Sequence, residues 1–261
     1  MIINGLKIAN EILAELKKLP KPDKKLVAIL VNDDPASISF LKQKAKTAEH
    51  LGVDFQILNF PKDIRETQLI SEIEALNNNQ RIGGVIVQLP MPDRLDRAAV
   101  ISAIVSKKDV DNLKNGNLVV APAVAVVEEI LSRLKFSLKG KKSAVVGRGL
   151  LVGEPVANWL KKHDTLVANL HTENFDENVL RKADLIVSGA GQPGLIKGGA
   201  VKKDSILIDF GTGFLDGKSK GDFDFESCAK KALVITPTPG GTGPILVAKL
   251  FENFYKLTFG R

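Results

Sequence analysis

Two spacings of apolar residues alternate along this chain. Ile8, Ile12, Leu13, Leu16 and Leu19 recur at helical intervals, whereas residues 26–31 form a short continuous apolar run. Helical spacing puts residues three and four apart on one face, and an unbroken run of four to eight apolar residues suits a strand buried on both sides. The alternation continues with a helix over 38–51, a strand over 53–60, a helix over 67–76 and the β-branched run Gly83-Gly84-Val85-Ile86-Val87, which ends at Gln88 and the prolines Pro90 and Pro92. Beyond residue 120, Pro122 introduces a helix over 124–134, and Pro122 suits a helix start. Strands are then predicted over 143–146, 166–170, 185–188, 206–210 and 233–236, and Pro244 opens a last helix over 245–257. Strands alternating with helices predict an α/β fold of parallel sheets covered by helices. The chain divides into two domains. Residues 1–120 form a small N-terminal parallel α/β domain of about three strands, with the terminal helix 244–257 packing back on it. Residues 121–261 form the second domain, and the helix over 124–134 serves as connector.

Composition narrows the class without identifying it. A chain of 261 residues can bury two modest cores. No apolar run approaches the ~20 residues of a membrane span, and the first residues carry no basic region followed by a long apolar stretch, so neither membrane nor signal peptide is expected. One cysteine, Cys228, rules out an intrachain disulfide and fits a cytoplasmic protein. His50, His163 and His171 are scattered without metal-ligand spacing, so no metal is expected. The net charge of +7 is spread over lysine pairs such as Lys17-Lys18 and Lys202-Lys203, and aromatics make up only 5%. Without clustered bases and stacking rings, nucleic acid is not the expected partner. A basic surface does attract anionic small molecules.

The chemistry concentrates in a few segments. Val145-Val146-Gly147-Arg148-Gly149-Leu150-Leu151-Val152-Gly153 reads as a strand, a glycine-rich turn and a helix start. Glycines let the backbone approach a pyrophosphate, and a helix N-terminus offers unpaired N–H groups to an anion. The spacing carries one residue more than G-x-G-x-x-G before Gly153, but the setting inside a strand–helix–strand series makes the second domain Rossmann-like. The next strand ends in His171, Thr172 and Glu173. With Arg148 nearby, this tip suits the 2′-phosphate of NADP, while Glu173 leaves NAD open as the less favoured cofactor. In the first domain Gln88 stands at the carboxyl end of a strand, where open α/β sheets bind ligands. Lys44 lies one helical turn beyond Phe40, with Ser37 roughly on the same face. A half-desolvated lysine there can act as a general acid or base.

Four segments in order carry a resemblance over nearly the whole chain, from Gly5 to about Asn253. They are Asp34-Pro35-Ala36-Ser37 through Lys46, the Gln88-Leu89-Pro90 strand end, Lys107-Lys108-Asp109-Val110-Asp111, and Thr236-Pro237-Thr238-Pro239-Gly240-Gly241-Thr242-Gly243-Pro244. Together they resemble the bifunctional methylenetetrahydrofolate dehydrogenase/methenyltetrahydrofolate cyclohydrolase family. The resemblance implies hydride transfer from methylenetetrahydrofolate to NADP, followed by hydrolysis of the methenyl product to formyltetrahydrofolate. It also implies a homodimer. By the same resemblance Lys44, Gln88 and Asp111 are catalytic, Asp111 accepting hydrogen bonds from the pterin. Phe40, Pro239, Gly240, Gly241 and Pro244 bind substrate. Gly147, Arg148, Gly149, Gly153, His171, Thr172, Gly191 and Thr212 bind the cofactor.

The chain departs from the family at several points, most of them on the folate side. Phe40 stands for the usual tyrosine, Asn112 for a glycine, and Ile245-Leu246 for Met-Thr. The segment between Asp111 and Pro122 is several residues shorter, and Ala121-Pro122-Ala123-Val124 replaces Thr-Pro-x-Gly. On the cofactor side Gly149 replaces a serine. These changes make dehydrogenation the firmer expectation. They leave open a weak cyclohydrolase or a non-catalytic folate- or nucleotide-binding module. A two-domain dehydrogenase of the shikimate type would lack a reason for the Gln88 strand end and the Pro-Gly-Gly loop.

Overall fold

The computed structural model describes residues 1–31, 34–215 and 217–260. The chain falls into two compact units, Met1–Asn10 with Ala123–Leu246, and Glu11–Pro122 with Val247–Arg261.

In the second-named unit, three parallel strands lie in the order β2 (Phe55–Asn59), β1 (Lys25–Leu30), β3 (Ile82–Val87). Both β1 and β3 are buried almost throughout, as their continuous apolar runs require, whereas the edge strand β2 has no buried residue. Around the sheet run α2 (Pro35–Leu51), α3 (Glu66–Asn78) and the short α4 (Arg97–Ala103). Helix α2 starts earlier than its apolar spacing indicates, because Asp34 caps it by accepting from the Ser37 N–H at 2.7 Å and Pro35 suits the first turn. Helix α4 was not foreseen. Its seven residues are too few to show a period, and the Asp96 carboxylate starts it by accepting from Ala98 and Ala99 N–H. The last turns of α9 (Thr242–Phe259) belong to this unit and lie close on β3. A Cβ added to Gly84 would meet Phe254 Cδ2 at 3.0 Å and Val110 Cγ1 at 2.6 Å, so this run needs glycine for the helix to approach.

The other unit carries five parallel strands in the order β10 (Val234–Ile235), β7 (Ile206–Asp209), β6 (Leu185–Ser188), β4 (Lys142–Val146), β5 (Leu166–Leu170). All five fall in the segments read as strands from sequence. Because β4 pairs with β5 on one side and β6 on the other, the order reverses at β4, and a crevice opens at the carboxyl ends of such a switch point. Helices α6 (Gly153–Lys161), α7 (Glu177–Leu180) and α8 (Phe225–Ala229) and the antiparallel hairpin β8 (Gly213–Leu215)–β9 (Lys218–Lys220) complete it. The N-terminal residues join this unit through β10: Ile3 N–H donates to Ile235 O, and Ile235 N–H to Met1 O, each at 3.0 Å. Three helices, α1 (Gly5–Lys17), α5 (Pro122–Arg133) and α9, begin in one unit and end in the other along the chain. Helix α9 opens at Thr242 rather than at Pro244, which sits within its first turn, where a proline costs no hydrogen bond.

Candidate active site

Lys44 lies on the inner face of α2, two turns beyond Ser37 and one beyond the half-buried Phe40. Only 7% of Lys44 is exposed, and its Nζ donates to Gln88 Oε1 at 3.0 Å. Gln88 just follows β3. Its N–H extends the ladder by donating to Ile29 O, and its Nε2 donates to Leu89 O at 2.9 Å. That second bond fixes the amide with its oxygen toward the lysine, a neutral acceptor that adds no charge. Burial pushes the Lys44 pKa down from its ordinary value, and the negative Asp111 opposes that shift. Burial pushes the Asp111 carboxyl up to about 6, Lys44 pulls it down, and Asp109 adds a smaller upward push. Lys44, Gln88 and Asp111 are therefore brought together, with an ammonium and a carboxylate each disfavoured by burial and each favoured by the other. Ser37 Oγ is buried on the same helix face and has no hydrogen-bond partner.

The loop that carries Asp111 is held by groups the sequence reading missed. Asn253 on α9 is buried and its Nδ2 donates to Val110 O at 2.8 Å and Val120 O at 2.7 Å, tying the two ends of the loop. A single amide within the apolar stripe of α9 was the signal for it. Asn112 adopts a left-handed φ of 52°, a conformation asparagine tolerates and glycine favours. Its Nδ2 donates to Gly116 O and Val119 O, so the substituted residue itself closes the shortened segment. Lys108 Nζ donates to Leu76, Asn77 and Asn79 carbonyls at the C-terminal end of α3, and Lys114 Nζ to Ser102 and Ile104 carbonyls at the C-terminal end of α4. Cations suit helix C-termini. Asp109 is buried, accepts from Lys114 N–H at 3.0 Å, and keeps one oxygen without a partner; burial raises its pKa.

The other unit holds a cavity of about 530 Å³ at the carboxyl ends of β4, β5 and β6, lined by Gly147, Arg148, Gly149, His171 and Thr172 among others. Gly147 has φ +103°, and a Cβ on Gly153 would fall 2.1 Å from Gly147 O, so the turn into α6 requires glycine at both positions. The residue before α6, Val152, offers no capping side chain. Of the remaining predicted cofactor residues, Gly153 starts α6 behind the turn, Gly191 lies between the lining residues Ala190 and Gln192, and Thr212 is exposed in the loop after β7; these three do not line the cavity. His171 Nδ1 and Asn169 Oδ1 are buried without partners. A glycine cradle, an arginine at the rim and an orphaned ring nitrogen fit a dinucleotide phosphate.

Beneath this cavity lies a second missed feature, the buried pair Asp209 and Asp222. Asp222 accepts from Ser188 Oγ at 2.6 Å and from Ala190 and Gln192 N–H at 2.7 Å, pinning the loop after β6. Asp209 accepts from Gly211, Asp222 and Phe223 N–H, while burial, reinforced by Asp222, raises its carboxyl to about 7 against those donors. The loop with Pro239, Gly240, Gly241 and Pro244 is anchored in the same unit. Gly5 N–H donates to Gly240 O at 3.0 Å, and Thr242 Oγ1 to Asp209 O at 2.6 Å. Among the described residues no His, Cys, Asp and Glu group could hold a metal, and no helix is long and apolar enough to cross a membrane.

Comparison with known proteins covers the same halves. Residues 3–111 match the family model described as tetrahydrofolate dehydrogenase/cyclohydrolase, catalytic domain, and residues 121–259 match its NAD(P)-binding domain. The chain is 38% identical to the bifunctional protein FolD of Halothermothrix orenii, over 98% of this chain and 96% of that protein. It superposes on the crystal structure of the bifunctional FolD enzyme of Campylobacter jejuni with a TM-score of 0.93 at 32% identity, covering 100% of this chain and 99% of that one. A Trypanosoma brucei FolD complexed with NADP cofactor and inhibitor gives a TM-score of 0.92 at 29% identity, covering 100% and 97%.

Proposed function

The chain belongs to the tetrahydrofolate dehydrogenase/cyclohydrolase family, and on that premise we propose that it oxidises methylenetetrahydrofolate to methenyltetrahydrofolate with NADP and hydrolyses the product to formyltetrahydrofolate. The observation that carries the reading is the buried Lys44–Gln88 hydrogen bond beside Asp111. NADP, when bound at the glycine turn, supplies a nicotinamide that accepts the hydride. Gly147 and Gly149 would admit its phosphates closely, Gly153 lets the turn close into α6, and Arg148, His171 and Thr172 would meet the ribose end.

On the folate side the work is positioning and proton management. The Asp111 carboxylate, ionised above about pH 6, accepts N–H groups of the pterin ring. Gln88 Oε1 accepts a hydrogen bond from one of the three N–H groups of the Lys44 ammonium and so aims the other two. Because burial lowers the Lys44 pKa, the neutral amine is reached at less cost than on a surface lysine. In hydrolysis, water adds to the methenyl carbon and gives its first proton to Lys44; the ring nitrogen then takes a proton as its bond to that carbon breaks, and the new hydroxyl gives up its remaining proton as it becomes the formyl oxygen. One proton is released overall. Phe40 stacks on the substrate but has no hydroxyl to help hold Lys44, so hydrolysis is slow relative to oxidation and methenyltetrahydrofolate accumulates transiently.

Residues 1–120 with 244–257 serve the folate and 121–261 the dinucleotide in this reading, and Pro239, Gly240, Gly241 and Pro244 border the ligands. The enzyme works in the cytoplasm as a homodimer. The edge strand β5, with Leu166 exposed, supports a surface for a second copy. Turnover of methylenetetrahydrofolate with NADP, followed by methenyl absorbance and formyl product, is the test. Dehydrogenation with a methenyl transient is expected; binding of both ligands without turnover would replace the enzyme reading by a binding module.

A further inference from the structure

At the tip of β5 the cavity gathers opposed charges. Glu173 Oε2 lies 3.9 Å from Arg148 Nη2 and 3.8 Å from His171 Nδ1, and all three residues line the same cavity. In a doubly wound fold this strand tip meets the adenosine ribose. A carboxylate there accepts a hydrogen bond from the 2′-hydroxyl of NAD, whereas an arginine accommodates the 2′-phosphate of NADP. This chain presents both, already paired to each other.

We propose that Glu173 is the residue that sets cofactor choice, holding down the preference for NADP and admitting NAD as a second cofactor. The inference rests on the dinucleotide reading of the cavity. A 2′-phosphate carries two or nearly two negative charges. To bind, it draws Arg148 away from Glu173 and then sits beside a carboxylate. Arg148 and Glu173 side chains are 63% and 76% exposed, so their pairing is loose enough to yield. The like charge that remains next to the phosphate is the larger cost. NAD meets neither cost, because its hydroxyl donates to Glu173 while Arg148 stays paired. His171, whose Nδ1 has no hydrogen-bond partner, can donate to whichever anion stands there.

The two cofactors share every contact except the one at the 2′ position, so the ratio of their dissociation constants isolates this residue from any general effect on folding. Calorimetric titration of the full chain with NADP and with NAD, without folate, measures that ratio free of turnover. Glu173→Gln removes the charge and keeps the size; the ratio is expected to move toward NADP by about tenfold or more, through a phosphate freed of a neighbouring carboxylate. Glu173→Asp retains the charge and is expected to keep the wild-type ratio within about threefold, since its carboxylate still repels the phosphate. A ratio unchanged in Glu173→Gln, or shifted toward NAD, overturns the proposal. Failure of both cofactors to bind the wild-type chain instead removes the dinucleotide reading, and this inference with it.

Discussion

Each unit draws a pair of aspartates out of bulk solvent, the buried Asp209 and Asp222 in one and the buried Asp109 with the half-buried Asp111 in the other, and the two pairs are built in opposite ways. Asp209 and Asp222 are saturated: each takes three hydrogen bonds, five of the donors being backbone N–H groups and the sixth the Ser188 hydroxyl. Their acceptor capacity is spent on shaping the loops at the carboxyl end of the sheet. Asp109 takes one such bond, from Lys114, and no hydrogen bond is made to the Asp111 carboxylate among the described residues. Asp111 instead faces Lys44 through charge alone. A buried carboxylate without donors costs free energy unless something else meets it. The first pair is therefore architecture. In the second, Asp109 organises the turn, and the lone pairs of Asp111 are unspent, as the proposed pterin contact requires.

The largest effect that would sharpen this contrast lies at Lys44, the partner of the unsaturated carboxylate. Lys44→Met should lower methenyl hydrolysis by about 10²–10⁴-fold, the usual span of general acid–base catalysis. Cofactor binding should stay unchanged and oxidation should fall less, because hydride transfer needs no proton carrier. Wild-type hydrolysis in this variant, followed by methenyl absorbance, would remove Lys44 from the mechanism.

The aspartates themselves come next. Asp222→Ala leaves three donors unpaired, the buried Ser188 hydroxyl and two part-buried N–H groups, at up to roughly 1–3 kcal/mol each before relaxation. The melting midpoint should fall by several degrees, given about 2–4 °C per kcal/mol for a chain near this size. Asp111→Asn should do the reverse. The folded-state pKa of Asp111, about 6, lies above the ordinary carboxylate value, so ionising it costs the folded protein. Its favourable contribution is present at low pH and is lost as pH rises through about 6. At pH 8 the Asp111→Asn midpoint should accordingly equal or exceed that of the wild type while folate turnover collapses. In the wild type, kcat/KM for folate should rise with pH through about 6, and the variant should lack that limb. A melting loss at Asp111 as large as at Asp222 would break the comparison.

A smaller effect is expected at Asn112. Asn112→Gly keeps the left-handed backbone but loses the bonds to Gly116 and Val119 carbonyls, worth about 0.5–1.5 kcal/mol each. The folate KM should rise several-fold as the loop bearing Asp111 loosens. Asn112→Ala adds the strain of a positive φ and should be worse; equal KM values in wild type and both variants would show that the loop is held without Asn112. The smallest change is Phe40→Tyr. One restored hydrogen bond to Lys44 should speed hydrolysis a few-fold to about tenfold, shortening the methenyl transient in a stopped-flow trace. An unaltered transient would place the cause elsewhere.

Much of this was readable without coordinates. Strands β1, β3, β4, β6 and β7 announce themselves because a parallel strand buried on both faces is apolar along most of its length, and that is a local property of the chain. The glycine turn at Gly147 and the helix spacing of Phe40 and Lys44 are local as well, and the order of four motifs identified the family. The three-residue strands of the hairpin and the seven residues of α4 were too short to show a period. Gly191 and Thr212, assigned by resemblance, are not among the residues that line the cavity, since sequence order does not say which atoms face inward.

What sequence alone determined was the alternation of elements, the two sheets and the candidate chemistry of Lys44, Gln88 and Asp111. Only the tertiary structure decided which carboxylates are spent and which are free. The donors to Asp222 come from residues 188–192, and the amide that ties the Asp111 loop comes from Asn253, on the last helix. A carboxylate's pKa, and its readiness to meet a ligand, depend on how many donors and how much solvent reach it. Those are set by segments that meet only when the sheets are assembled, so no local pattern could carry them.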